Sequence, residues 1–291
     1  MNEIEQIGLM KGEKELIRTL EYEDIPLVKE MPTGIEDDYV IRIIHKLMQE
    51  EKIVGYFKKE MLVGIAGLTI FEGEAAVLGR LRTHSDFRKK GIASELMNTL
   101  QIEAFENPAI IWVGYATEDY NTGGNCIAPH LQMQLESQIV SSRISPHTII
   151  GQTVTRSFNR VTEENKKATI EKYWKESGQS FFPYSIYYPL PYLPSLSSTY
   201  LEQVELFAND TGGFMLVKEE KGASYLHVKV LNETTLYSRE MWKMVNAYAI
   251  EEARTIWIDL PIQQAKWLEP YSHQTTWCLY GQKRSLYNEM D

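Results

Sequence analysis

Cysteine is nearly absent: Cys126 and Cys278 are the only two in 291 residues. Two are too few for a disulfide framework or a structural zinc site. A reducing setting follows, and the cytoplasm is the expected one. The six histidines never gather at ligand spacing, so no metal is expected. No run approaches the roughly 18 unbroken apolar residues of a membrane helix. The N-terminal MNEIEQIGLMKGEKE offers no apolar core for a secretory leader, so no membrane partner is expected. Basic charge is also short. The net charge of −10 lacks the footprint that displaces counterions from phosphate, which excludes a nucleic-acid partner.

What is present describes a folded chain. Hydrophobic residues at 43% and charged residues at 24% match globular proteins. The length fits two domains at about 150 residues each. The acidity is uneven. Residues 1–153 hold 15 Lys and Arg against 23 Asp and Glu, and residues 154–291 hold 15 against 17. An acidic half draws in a cationic small molecule. Acidity also simply keeps a protein dissolved.

The pattern predicts a strand at 15–20 and a helix at 21–31, where Pro26 sits early as helix starts prefer. A turn-rich stretch, 32–38, carries three acids in a row, Glu36, Asp37 and Asp38. A helix is expected over 37–51, from Val40, Ile43, Ile44 and Leu47 on one face. Three strands, 52–59, 61–71 and 75–84, form a meander with short turns. The strongest helix is 91–105, with Ala93, Met97, Leu100 and Ala104 in one stripe. A buried strand at 109–116, a loop at 117–125 and a short helix at 126–136 follow. The β-prone runs SQIVSSRI and HTIIGQTV close this half.

Near residue 154 the pattern restarts with a short strand and an amphipathic helix (155–177). Residues 181–201 hold four prolines and five tyrosines, which predicts a long ordered loop packed by its aromatics. A hairpin around Lys221-Gly222, a helix at 238–253, a strand, a short helix and a final strand repeat the tail of the first half. The expected architecture is α/β (α+β): a mixed, mostly antiparallel sheet flanked by helices in residues 1–153, and a second, smaller α/β domain in residues 154–291.

The chemistry concentrates at 81–97, where a strand runs through a short loop into the best helix. Amides at a helix start lack internal partners, and the helix dipole is positive there, which suits a phosphate. Gly91 permits close approach or positive φ. Arg88, Lys89 and Lys90 add positive charge. The loop is neither a Walker A nor a G-x-G-x-x-G sequence.

Arg88-Lys89-Lys90-Gly91-Ile92-Ala93 resembles the R/Q-x-x-G-x-G/A motif of the GNAT superfamily of acetyl-CoA-dependent N-acetyltransferases. Its place after three meander strands and before a helix strengthens the resemblance, which covers about residues 15–153. It implies acetyl-CoA as co-substrate and a splayed sheet, with strands 75–83 and 110–116 parting around the thioester. The backbone of Leu81, Arg82 and Thr83 would pair with the pantetheine arm. The amides of Lys89, Lys90, Gly91, Ile92, Ala93 and Ser94 would hold the pyrophosphate. Asn125-Cys126-Ile127-Ala128 fits the family's N-x-x-A, with Asn125 on the cofactor arm; Asn121 stands in the rival register.

The chain also departs from the family. Many members place a Tyr seven residues after that Asn, as acid for the departing thiolate; here the position is Gln132, or Ala128 from Asn121. Tyr120 is the candidate donor, with Tyr115, His130, Glu118 and His84 as others. The second half carries no such motif before its helix. As a degenerate repeat it would shape the acceptor site or a homodimer contact. The expected activity is acetyl transfer to the primary amine of a small, cationic acceptor drawn by Glu36, Asp37 and Asp38. The same acids also suit the cap of the helix that follows. The alternative is an acyl-CoA-binding or regulatory module of the same fold, without turnover.

Overall fold

The computed structural model describes residues 15–285 apart from Gln152, Thr155 and Pro194. They divide into two compact units. The first holds residues up to Tyr115, Thr122–Gln134 and the segment from Tyr280 on; the second holds Ala116–Asn121 and Leu135–Leu279.

The first unit runs β1 (Glu15–Thr19), α1 (Ile25–Glu30), α2 (Tyr39–Arg42), α3 (Ile44–Glu50), β2 (Lys52–Lys58), β3 (Met61–Phe71), β4 (Ala75–Thr83), α4 (Ile92–Glu106), β5 (Trp112–Glu118) and α5 (Thr122–Asn125). The sheet order is β1-β2-β3-β4-β5. Every pairing is antiparallel except β4 with β5, which is parallel. The predicted meander is therefore observed. β3 reads as a nearly continuous apolar run because both of its faces are covered. Ala66 and Leu68 pack with Leu96, Met97 and Leu100 of α4. Leu62 and Ile65 pack with Val28, Val40, Ile44 and Leu47 of the first three helices.

The expected 117–125 loop holds the end of β5 and the single turn α5, and two helices of this half also differ from the sequence reading. The helix expected over 37–51 is two, broken at Ile43, whose φ/ψ of −104/15 leaves the helical region. The β-branched run Val40, Ile41, Ile43, Ile44 is a weak helix former. The break still buries Val40, Ile44 and Leu47 while Ile43 turns outward. The helix expected over 126–136 is a single 3₁₀ turn at Ala128–Leu131. It holds Pro129, and Gln132 at its end is left-handed (φ 55). The chain then turns into a strand from Gln134.

The second unit continues with β6 (Gln134–Ile144), β7 (Asn159–Arg160), α6 (Glu163–Ser177), β8 (Phe182–Ser185), β9 (Tyr188–Leu190), α7 (Ser198–Glu202), β10 (Glu205–Ala208), β11 (Gly213–Glu220), β12 (Ser224–Val230), α8 (Glu233–Leu236), α9 (Arg239–Glu251), β13 (Thr255–Pro261), α10 (Ile262–Ala265) and the start of β14 (Ser272–Lys283), whose residues from Tyr280 on belong to the first unit. Its sheet order is β6-β13-β12-β11-β10-β7. β12 and β13 are the parallel pair, joined through α9, just as β4 and β5 are joined through α4. HTIIGQTV forms no strand among its described residues; Thr153 makes one isolated bridge to Ser238. The segment 181–201 is more regular than expected, with a β8–β9 hairpin and α7. Its aromatics do pack: the Phe182 ring centre lies 4.9 Å from that of Trp174, 4.6 Å from that of Tyr184 and 5.4 Å from that of Tyr192.

Charge holds that segment in place. His227 and Lys229, two apart on β12, are both fully buried. His227 sits between two acids, with Nδ1 2.7 Å from Glu219 and Nε2 3.0 Å from Asp259. Glu219 accepts from the Ser185 hydroxyl and from the Ile186 amide, the latter at 3.0 Å. Lys229 donates to the Tyr184 carbonyl at 2.7 Å and the Tyr200 hydroxyl at 3.1 Å. Burial pushes the Lys229 pKa down to about 8 against the pull of Glu219 and Asp259. Burial opposes ionisation of Glu219 too, but His227, Lys229 and Ser185 hold its pKa down to about 2. Buried pairs of this kind are costly to break because the survivor is left charged and alone.

Among the described residues, no helix is long and apolar enough to cross a membrane. None of their His, Cys, Asp and Glu side chains gather into a group that could hold a metal.

The Glu219 pKa lies below the ordinary carboxylate value, so the folded state binds fewer protons there than the unfolded one. Its contribution is present above pH 4.5 and is lost as pH falls toward 2. Urea melts from pH 5 to 2.5 should show a steep loss of stability in the wild type and a shallower one in Glu219→Gln, which has no proton to gain. Equal slopes would remove Glu219 from the acid response.

Candidate functional site

The site begins with a strand pair that does not stay paired. β4 and β5 are in parallel register only from Ala75–Val77 to Trp112–Gly114. Beyond that, β4 runs to Thr83 bonded on its β3 side, with Ile65 opposite Arg82 and Gly64 opposite Thr83. The register with β3 slips between Ile65 and Gly67, and Arg80 in β4 is left-handed (φ 55). A bulge of this kind bends and twists its strand. The Arg80 side chain is clamped at the bend, with Nε 3.0 Å and Nη2 2.7 Å from the two oxygens of Glu51. Leu81, Arg82 and Thr83 thus lie on the part of β4 that has left β5.

The loop that follows is shaped for close approach. A 3₁₀ turn at Ser85–Phe87 is capped by His84, whose Nδ1 accepts from the Asp86 amide at 3.2 Å. Lys89 (φ 60) and Gly91 (φ 81) are both left-handed, and α4 starts at Ile92. No side chain caps this helix start. A Cβ built on Gly91 would meet only Glu95 Oε1, at 3.8 Å. The amides of Ile92, Ala93 and Ser94 therefore begin a 15-residue helix with room in front of it, where an anion is favoured. Ile92, Leu96, Met97 and Leu100 anchor that helix in the core.

The basic side chains of the loop are partly spent within the protein. Arg88 donates to the Thr33 carbonyl. Lys90 donates to the Asp86 carbonyl at 2.8 Å and lies over the Phe87 ring. Lys89 is exposed.

The three acids separate in role. Asp38 is buried and caps α2, accepting from the Val40 amide at 3.0 Å and the Thr33 hydroxyl at 3.3 Å. It also takes a two-pronged pair from Arg82, Nε to Oδ2 at 2.5 Å and Nη2 to Oδ1 at 2.8 Å. Burial would raise its pKa, but Arg82 and these donors hold it lower. The Asp38 carboxylate is thus engaged inside the protein, which is the capping role its position suits. Asp37 pairs at the surface with Arg42 at 2.9 Å, and Glu36 is exposed.

Asn125 ends α5, and its Oδ1 accepts from the hydroxyl of Tyr280 at 3.0 Å. Tyr280 stacks on Tyr115, ring centres 5.4 Å apart, and the Tyr115 hydroxyl bonds the Gly124 carbonyl at 2.8 Å. Tyr115 is the first residue of β5 past the paired stretch. Sequence reasoning missed Tyr280, because 155 residues separate it from Asn125 and no local pattern joins them. Tyr120 and Asn121 fall in the second unit. Tyr120 is 70% exposed; a hydrogen bond to Glu118, slight burial and the charges of Glu118 and Asp119 raise its pKa. Asn121 donates to the Thr117 hydroxyl at 2.9 Å.

The second unit repeats the strand, helix and parallel strand, but its helix start is closed. Ser238 caps α9 by accepting from the Met241 amide at 3.2 Å. The Arg239 amide donates to the Thr153 carbonyl at 2.9 Å. Gly151 passes so near that a Cβ on it would lie 2.6 Å from Arg239 Cα. The chain itself occupies the place that stands open before α4.

Residues 19–123 match the family model of the GNAT acetyltransferases. Solved structures resemble the chain along nearly its whole length. A GCN5-related N-acetyltransferase from Sphaerobacter thermophilus superposes with a TM-score of 0.60 at 11% identity, covering 94% of this chain and 96% of that one. A protein of Thermoplasma acidophilum to which acetyltransferase activity has been ascribed gives 0.56 at 13% identity, covering 92% and 99%. At such identity the likeness is one of fold. No curated protein sequence matches the chain.

With one helix start open and the other closed, acetyl-CoA should bind at one equivalent per chain in a calorimetric titration. Two equivalents would show that α9 also receives a phosphate.

Proposed function

Residues 19–123 belong to the GNAT acetyltransferases, and from that premise we propose that the protein moves acetyl from acetyl-CoA to the primary amine of a small, cationic acceptor by direct attack. The observation that carries this reading is the uncapped start of α4 beside a strand that has parted from its neighbour. The pyrophosphate rests on the amides from Lys89 to Ser94, with Lys89 the nearby exposed charge. The pantetheine arm runs along the backbone of Leu81, Arg82 and Thr83, as an added strand would, and Asn125 meets it further on. The thioester lies between β4 and β5.

The reaction needs a neutral amine held against the thioester carbonyl and a proton for the departing sulfur. The amine nitrogen bonds to the acyl carbon, the C–S bond breaks, and the amine's proton leaves to water. Two phenols are candidates for the proton donor. Tyr120 is one. The better placed is Tyr280, because it belongs to the same unit as the cofactor loop and its hydroxyl meets Asn125. Exposed Glu36 and Asp37, with the acidic first half around them, attract a cation and repel an anion. The second unit's strand–helix–strand order and closed helix start support reading residues 154–291 as a GNAT-like repeat that no longer binds cofactor. The Gln132 found where many members keep a Tyr favours the alternative, an acyl-CoA-binding module without turnover.

Calorimetry decides the cofactor: no heat at millimolar acetyl-CoA would end the proposal. Gly91→Glu should abolish binding, since it adds bulk and negative charge in front of α4. A thiol-release assay over a polyamine, an aminoglycoside, a free amino acid and a basic peptide then separates transferase from binding module. Removing the donor should lower kcat about a hundredfold, with the larger loss expected in Tyr280→Phe and the smaller in Tyr120→Phe. Glu36→Gln with Asp37→Asn should raise the KM of the best amine. An unchanged KM, or a preference for the basic peptide, would reject the small cationic acceptor.

A further inference from the structure

The acids of the 32–38 loop and the arginines of the cofactor strand were read separately in the sequence, yet the fold joins them. Arg82 reaches from β4 to Asp38 with both prongs, and only 15% of the Arg82 side chain and 3% of the Asp38 side chain are exposed. Arg88, at the head of the phosphate loop, bonds the Thr33 carbonyl. The Ser85 amide bonds the Pro32 carbonyl at 2.8 Å. Thr33 closes the circle by donating to Asp38. These ties come either from the end of β4 or from the turn that leads to α4. The segment they hold carries Glu36 and Asp37 outward.

We propose that Arg82 and Asp38 are positioning residues. Their pair latches the acceptor-side loop to the strand along which the cofactor arm lies, and so sets where Glu36 and Asp37 meet the amine. The pair suits this task better than an exposed one would. A two-pronged guanidinium–carboxylate bond fixes angle as well as distance, and burial shields it from salt. Asp38 therefore acts on the acceptor through loop geometry, without touching the ammonium. The proposal rests on the acetyl-transfer reading for the identity of the ligand, but the latch itself is a property of the protein alone.

The test uses the full chain. Arg82→Met alone buries an unpaired carboxylate and risks unfolding. The double variant Arg82→Met with Asp38→Asn removes both charges, and the new amide oxygen can still accept from the Val40 amide. Arg82→Lys keeps the charge but loses the two-pronged geometry. In the double variant the KM of the best amine should rise about tenfold, with the loss in kcat/KM carried by KM, and Arg82→Lys should fall between it and wild type. Amide hydrogen exchange at residues 33–38 should quicken about tenfold in the double variant, with or without acetyl-CoA. An unmoved KM, a loss carried by kcat, or unchanged exchange at 33–38 would each overturn the latch. If wild-type protein binds no acetyl-CoA, the acetyl-transfer reading fails, and the exchange measurement on the protein alone still decides this one.

Discussion

The first unit depends on a parallel pairing that lasts three residues and then stops. β4 and β5 hold together at Ala75–Val77 and Trp112–Gly114, and the bulge at Arg80 carries β4 away from that point. A strand edge that has parted from its neighbour can present backbone donors and acceptors to whatever lies beside it. The same departure delivers the chain into the turn before α4, so strand edge and helix start come to lie in sequence along one path. Rigidity comes from the covered faces of β3 and from α4, whose inner side chains are in the core.

Charge is used differently in the two units. In the first, Arg80 with Glu51 and Arg82 with Asp38 hold helices and loops against one strand, each pair largely buried and two-pronged. In the second, His227, Lys229, Glu219 and Asp259 are buried together, and their outward partners all belong to the aromatic segment 184–200 or to the sheet. In both cases an ion pair fixes a piece of irregular chain that apolar burial alone leaves adjustable. Hydrophobic contact is indifferent to direction, whereas a carboxylate and a guanidinium meet well in few geometries.

The two units also show how little separates an open helix start from a closed one. Each has a parallel strand pair joined by a helix. Before α4 stands a glycine with space in front of it; before α9 stands Ser238, with Thr153 bonded to the first amide and Gly151 pressed against Arg239. A cap formed by the chain satisfies the groups that would otherwise attract an anion.

The sequence by itself determined the meander, α4, the phosphate-suited loop and the hairpin around Lys221-Gly222, because each rests on local rules: alternation, helical stripe, turn residues, a glycine before a helix. It did not determine the break at Ile43 or the strand starting at Gln134, where packing of Val40, Ile44 and Leu47 and the turn at Pro129 outweighed periodicity. The partnerships in space were left to the tertiary structure. Arg82 and Asp38 stand 44 residues apart, and Tyr280 and Asn125 155 apart. Three neighbouring acids look alike on paper, and only the fold buries Asp38 against Arg82 while Glu36 and Asp37 stay exposed, Asp37 with Arg42 beside it. The physical reason is range. Propensity and pattern act within a turn or two of the chain, while the pairing of buried charges depends on which strands and loops the core has already brought together.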